Sequence, residues 1–202
     1  MKRFSSHEIT VAAAVLKQDG CIAVATDTVY GVCARMSEAG QQALFEVKHR
    51  PVSKQFPVMC LDEAQLMELA EVTDTARIVI HRFMPGPMTV ILKRKESLPL
   101  YVSGGGETIA VRLATSEQLR QLIRETGSPL FMSSANQSGQ PECSTMEQIE
   151  AACPLLDAIL EGTPSFGKAS TIVDCTHDDV HVLREGPVTA EEIQYELRRK
   201  NK

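Results

Sequence analysis

Apolar positions along the chain change period repeatedly, from the three-to-four spacing of a helix to short unbroken runs of the kind that fill the middle of a sheet. Ser5-Ser6-His7-Glu8 has the form of a capping box, and Ile9, Ala12, Ala13 and Leu16 then recur at helical spacing until Gly20 offers a stop. Residues 21–25 read as a buried strand that ends abruptly at Thr26-Asp27-Thr28, where a polar loop begins. The alternation predicts a helix near 39–48, a strand over 56–60 and a helical stretch over 62–84 that breaks around Val72-Thr73 and ends at Pro85. Strands over 89–93 and 108–113 follow, then a helix capped by Ser116 whose Leu119, Leu122 and Ile123 face the core until Gly127. Residues 129–133, 171–174 and 180–184 read as further strands. Thr189, with Glu192 three residues on, opens a last helix that runs into the basic end Arg198-Arg199-Lys200-Asn201-Lys202. Strands mingled with helices predict a layered α/β fold, and the strands paired along the sequence make its sheet mixed rather than purely parallel. With no internal repeat and no linker to divide it, the chain is read as one domain over 1–202.

Composition narrows the choice of function. The 202 residues are 43% hydrophobic, enough for a sizeable core. Lys and Arg number 21 against 26 Asp and Glu, and a net charge of -5 argues against holding nucleic acid by a bulk positive field. Lys2 and Arg3 are followed by a polar, mixed stretch rather than the apolar core of a signal peptide, and no run approaches a membrane span, so a cytoplasmic location without membrane attachment is expected. The six cysteines lie scattered with no C-x-x-C pair and read as reduced, mostly buried side chains; with the histidines equally dispersed, no structural metal is expected.

Several segments could carry chemistry. The T-D-T-V-Y-G stretch sets Thr26, Asp27, Thr28 and Tyr30 at a strand edge, where they could meet a small polar ligand; taken alone it reads more readily as an ordinary loop. Lys48, Arg50 and Lys54 surround Pro51, a grouping that suits either a triphosphate or a solvated helix C-terminus. Ser133-Ser134-Ala135-Asn136-Gln137-Ser138-Gly139 could cradle phosphate or sugar or simply turn in solvent, and Ser103-Gly104-Gly105-Gly106 reads as a flexible connector. Residues 162–169 match a phosphate-binding loop except that Ala169 stands where a hydroxyl should bind magnesium, and the β-rich Ser170-Thr171-Ile172-Val173-Asp174 follows where a helix should open. No Ser-His-acid set, Cys-His pair or paired carboxylates stand out, so catalysis by positioning is the natural expectation.

T-D-T-V-Y-G, K-H-R-P-V-S-K-Q-F-P, T-I-A-V-R, S-S-A-N-Q-S-G, S-T-I-V-D and L-R-E-G occur here in the order found in the YrdC-like threonylcarbamoyl-AMP synthase family, which the chain closely resembles in its short, single-domain form. The resemblance implies a YrdC-like layered fold with a twisted, mixed sheet and a concave basic site. It further implies that Thr28, Arg112 and Ser170 hold L-threonine, while Lys48, Arg50, Lys54, Ser134, Asn136 and Arg184 line the ATP side, with Lys48 and Arg50 the catalytic cations. The implied reaction joins threonine and bicarbonate into a carbamate, whose oxygen attacks the α-phosphate of Mg²⁺-ATP and expels pyrophosphate. The product would pass to a tRNA threonylcarbamoyl-transferase complex. Replacing Lys48 or Arg50 with alanine is then expected to abolish pyrophosphate release with the fold intact. Leu113-Ala114-Thr115-Ser116 departs from the proline and histidine turn often found after the family's arginine, which bears on the shape of the threonine pocket. The competing reading is a non-catalytic RNA-binding protein, a tRNA or ribosome maturation factor, that uses the same basic surface.

Overall fold

In the computed structural model, which describes residues 1–199, alternate side chains of residues 21–25 enter two different cores. Cys21, Ala23 and Ala25 join one apolar cluster, and Ile22 and Val24 join another. The period of two along a strand makes this possible, and it requires helices on both faces to cover the two clusters.

In chain order the elements are β1 (Lys2–Phe4), α1 (Ile9–Lys17), β2 (Ile22–Ala25), β3 (Tyr30–Arg35), α2 (Glu38–Lys48), β4 (Val58–Cys60), α3 (Glu63–Leu69), β5 (Ala70–Glu71), α4 (Asp74–Phe83) and β6 (Met88–Arg94). They continue with α5 (Leu100–Ser103), β7 (Thr108–Leu113), α6 (Glu117–Thr126), β8 (Leu130–Ser134), α7 (Met146–Ala152), β9 (Ala158–Leu160), β10 (Thr171–Asp174), β11 (His181–Arg184) and α8 (Ala190–Arg199). The strands form one sheet in the order β1-β9-β2-β3-β8-β4-β7-β6-β10-β11, with β5 paired to β6 beside this path. Parallel pairs (β2 with β9, β4 with β7, β6 with β10) occur together with antiparallel ones (β2 with β3, β3 with β8, β6 with β7), so the sheet is mixed as expected. Leu16 of α1 and Leu119, Leu122 and Ile123 of α6 cover one face; Leu44 of α2, Leu66 of α3, Val79 and Ile80 of α4 and Ile193 of α8 cover the other. Among the described residues no helix is long and apolar enough to cross a membrane.

The expected elements recur with small shifts, and four strands were not expected: β1, β3, β5 and β9. The most consequential is β3. The polar loop expected after β2 is only a four-residue turn, in which Thr26 N–H donates to the Val29 carbonyl at 3.2 Å. The Thr26 hydroxyl donates to the same carbonyl at 2.6 Å and accepts from Thr28 N–H at 3.2 Å, so the chain reverses at once into β3. The stop of α1 also differs. The left-handed residue is Asp19 (φ 61°), whereas Gly20 matters for closeness, because a Cβ there would lie 2.7 Å from Val15 Cγ1. Half of the expected box forms, the Glu8 carboxylate accepting from Ser5 N–H at 2.8 Å and from its hydroxyl at 2.9 Å. Five of the six cysteines are buried and all are free. Of the basic end, Lys200, Asn201 and Lys202 lie outside the described residues.

Candidate active site

Two loops with nearly ninety residues between them meet at the end of α2. Lys48, its last residue, is 1% exposed, and its ammonium donates to the Ser134 carbonyl at 2.6 Å, to Asn136 Oδ1 at 2.6 Å and to the Asn136 carbonyl. An ammonium carries three N–H groups, and here all three are committed to the turn that follows β8. The Ser134 hydroxyl donates to the same Asn136 Oδ1 at 2.9 Å, and Asn136 Nδ2 donates to the Gln140 carbonyl, which closes the turn on itself. Burial strips water from the Lys48 ammonium and pushes its pKa down to about 8.

This changes the picture of a three-cation phosphate clamp. Lys48 is held beneath the turn rather than presented to a ligand, and Lys54 is exposed and lies outside the cavity described next. Only Arg50 of the three lines that cavity. Its guanidinium donates to the Lys54 carbonyl at 2.7 Å and the Gln55 carbonyl at 2.9 Å and lies 4.9 Å over the Phe56 ring, so it also shapes its own loop. Alanine at position 48 would therefore disturb the turn as well as the chemistry, contrary to the expectation of an intact fold. The supposed flexible connector at 103–106 is a fitted support for this loop. Gly104 (φ 61°) ends α5, and a Cβ there would lie 2.2 Å from Gln55 Nε2.

A cavity of about 200 Å³ opens among the turn after β2, β4, β6, β7, β8 and the β10–β11 pair. Three guanidiniums reach its wall: Arg50, Arg112 and Arg184. Arg112, on β7, is 7% exposed and makes three hydrogen bonds: from Nη1 to the Thr28 hydroxyl at 2.9 Å, from Nη2 to Asp27 Oδ1 at 2.5 Å, and from Nε to the Gly86 carbonyl at 3.2 Å. Burial lowers its pKa and Asp27 opposes that shift. Arg184 grips the Ser170 carbonyl with Nε at 3.0 Å and Nη2 at 2.8 Å, and the Ser170 hydroxyl lies 2.9 Å from that of Thr89. Thr28, Arg112, Ser170, Ser134, Arg50 and Arg184 thus surround one space, while Lys48, Asn136 and Lys54 do not line it.

Two parts of this arrangement escaped sequence reasoning. Asp27 was visible at the strand edge in T-D-T but was not paired with Arg112, although a buried arginine needs a counter-charge and an acid beside Thr28 is the nearest signal of one. The segment 162–169 opens no helix, consistent with its rejection as a phosphate loop. It runs as a strap along the turn after β2, where Ser165 and Phe166 N–H donate to the Asp27 carbonyl at 3.2 and 2.8 Å and Gly167 N–H donates to the Thr28 carbonyl at 2.8 Å.

Fold and site together define an α/β protein with an arginine-lined cavity suited to a small ligand carrying negative charge. A family model named Sua5_yciO_yrdC and described as "Telomere recombination" matches residues 14–186, and the chain belongs to this family. It is 32% identical over 197 residues to the threonylcarbamoyl-AMP synthase of Pyrococcus abyssi, covering 96% of this chain and 58% of that protein. It is also 32% identical to the threonylcarbamoyl-AMP synthase of Klebsiella pneumoniae, covering 78% of this chain and 87% of the relative. The crystal structure of P. abyssi Sua5 complexed with L-threonine superposes with a TM-score of 0.88 at 29% identity, covering 96% of this chain and 60% of that one. The chain therefore spans little more than half the length of the P. abyssi protein.

Proposed function

We propose that this chain makes L-threonylcarbamoyl-AMP from L-threonine, bicarbonate and ATP and releases pyrophosphate, for the modification of tRNA adenosine. The observation that carries the reading is the convergence, on one cavity, of Arg112 and Thr28 with the Lys48-stapled turn at Ser134. The names of its relatives and the threonine bound by one of them point the same way. A cavity of about 200 Å³ is below the ~300–1,000 Å³ typical of sites that enclose drug-sized ligands, so it suits the amino acid, with the nucleotide lying toward the open side by Ser134 and the 48–54 loop.

In this reading Arg112 takes the threonine carboxylate and Thr28 or Ser170 its hydroxyl, a pairing that rejects amino acids lacking the hydroxyl. Arg50 and Arg184 balance charge as the carbamate oxygen attacks the α-phosphate, and Lys48 holds the turn against which the nucleotide rests. The chain fits Mg²⁺ only as a companion of the nucleotide: the cavity wall brings guanidiniums and hydroxyls, and the described residues hold no cluster of three or more His, Cys, Asp or Glu that could bind a metal. Bound with ATP, Mg²⁺ would neutralise phosphate charge. The product would go to a tRNA threonylcarbamoyl-transferase complex, and any direct tRNA contact would be secondary. A purely RNA-binding role is the weaker reading, because these arginines converge with Thr28, Ser134 and Ser170 on one small cavity.

The test is incubation of the protein with ATP, Mg²⁺, bicarbonate and each of several amino acids, followed by pyrophosphate assay and mass spectrometry. A threonine-dependent adenylate with stoichiometric pyrophosphate is expected. Pyrophosphate formed equally with every amino acid, or none at all beside salt-sensitive RNA binding, would sink the proposal.

A further inference from the structure

Asp27 has one carboxylate oxygen in each of two environments. Oδ1 receives Arg112 Nη2 at 2.5 Å, with the two side chains 14% and 9% exposed. Oδ2 is buried with no hydrogen-bond partner among the described residues. Asp27 and Thr115 also line a second cavity of about 260 Å³, and the Thr115 hydroxyl is likewise buried without a partner among the described residues. A buried carboxylate oxygen left without a donor is costly, and the ion pair that Oδ1 makes with Arg112 is what holds this side chain in place. The backbone of Asp27 is fixed independently by the two N–H groups of the 162–169 strap.

These contacts do for Arg112 what a single ion pair could not. A guanidinium has five N–H groups, and the bonds to Asp27, Thr28 and Gly86 commit three of them, setting the plane of the fork while two remain for a ligand. We propose that Asp27 is a positioning residue for amino-acid recognition: it acts through Arg112, holding the guanidinium where its two remaining N–H groups meet the substrate carboxylate. This rests on the reading that the cavity binds L-threonine. It assigns no substrate contact to Asp27, whose second carboxylate oxygen is buried.

The test is a double-mutant cycle read by calorimetric titration of the full chain with L-threonine, using Asp27→Asn, Arg112→Lys and the double variant. Lysine keeps the charge beside Asp27 and loses the fork. Asp27→Asn is expected to weaken L-threonine binding about tenfold, to leave ATP affinity unchanged, and to add no further loss in the Arg112→Lys background. Where Asp27→Asn fails to fold, Asp27→Glu, which keeps the charge but displaces the fork, takes its place with the same expectation. Wild-type threonine affinity in the Asp27 variant beside a weakened Arg112→Lys overturns the proposal, and so do fully additive losses, which would mean that Asp27 touches the amino acid itself. Wild-type affinity in Arg112→Lys would instead remove the role of Arg112 on which the proposal stands.

Discussion

Lys48 and Arg112 are both buried cations at the same site, and they differ in what the protein leaves free on them. All three N–H groups of Lys48 go to the Ser134 and Asn136 oxygens, which are neutral acceptors. Arg112 has an acid partner, a hydroxyl and the Gly86 carbonyl, and two of its five N–H groups remain. A cation saturated by the protein's own neutral oxygens builds a surface; one with donors to spare can bind. Charge in a sequence motif does not separate the two cases, but the count of committed donors does.

The sharpest break in this comparison is Arg112→Ala. Asp27 would lose the one side-chain partner it has among the described residues, and removing one member of a buried pair costs about 3–5 kcal/mol, read as a drop in urea midpoint together with loss of threonine binding. Lys48→Met should cost less, about 2–3 kcal/mol, because methionine fills the space while the acceptors of the turn go without their donor. Its signature is on the other substrate: ATP affinity and pyrophosphate release fall, and threonine binding holds. Equal loss of threonine binding in both variants would dissolve the distinction between the two cations.

The same ammonium gives a pH dependence. Its pKa is about 8 in the folded protein against 10.5 as the ordinary value, so the folded chain binds this proton less tightly. Between about pH 8 and 10.5 the unfolded state holds more of it, and the contribution of this group to stability rises with pH; below about pH 8 it is constant. Activity should move the opposite way, because a neutral amine has two N–H groups for three oxygens and the turn loosens. Pyrophosphate release should fall through about pH 8 while the denaturation midpoint does not fall with it.

Much of the fold was legible because its signals are local. Ser116 and Gly127 bracket α6, and Val173 in β10 and Val111 in β7 sit in runs whose period only a buried strand satisfies. β3 and β9 were not legible for reasons of packing. β3 carries Gly31, where a Cβ would come 3.0 Å from Met132 Sδ, so a residue that reads as a break marks close approach to β8. β9 is three residues long and exists because it lies between β1 and β2. In the site, sequence placed the cations in the right neighbourhood without their direction. Nothing in K-H-R-P says that Lys48 turns inward, and nothing in T-D-T says that Asp27 meets an arginine 85 positions away.

The smallest expected effect separates the two halves of the site without touching either cation. At Gly104 the backbone is left-handed (φ 61°), and a Cβ would press on the Gln55 side chain at 2.2–3.0 Å. That side chain cannot simply swing away: Gln41 Nε2 donates to its Oε1 at 3.0 Å, and its own Nε2 donates to the Val52 carbonyl at 2.6 Å. Gly104→Ala should therefore cost about 1–2 kcal/mol in chemical denaturation, part from the φ and part from the displaced glutamine. The Cβ meets Gln55 first, so the strain enters the 50–55 loop, where Arg50 rests on the Gln55 carbonyl. The KM for ATP should rise a few-fold while calorimetric affinity for L-threonine stays at the wild-type value. A matching loss of threonine affinity would mean that the Arg50 loop and the Arg112 pocket are one mechanical unit, and the contrast between a building cation and a binding cation would have to be given up.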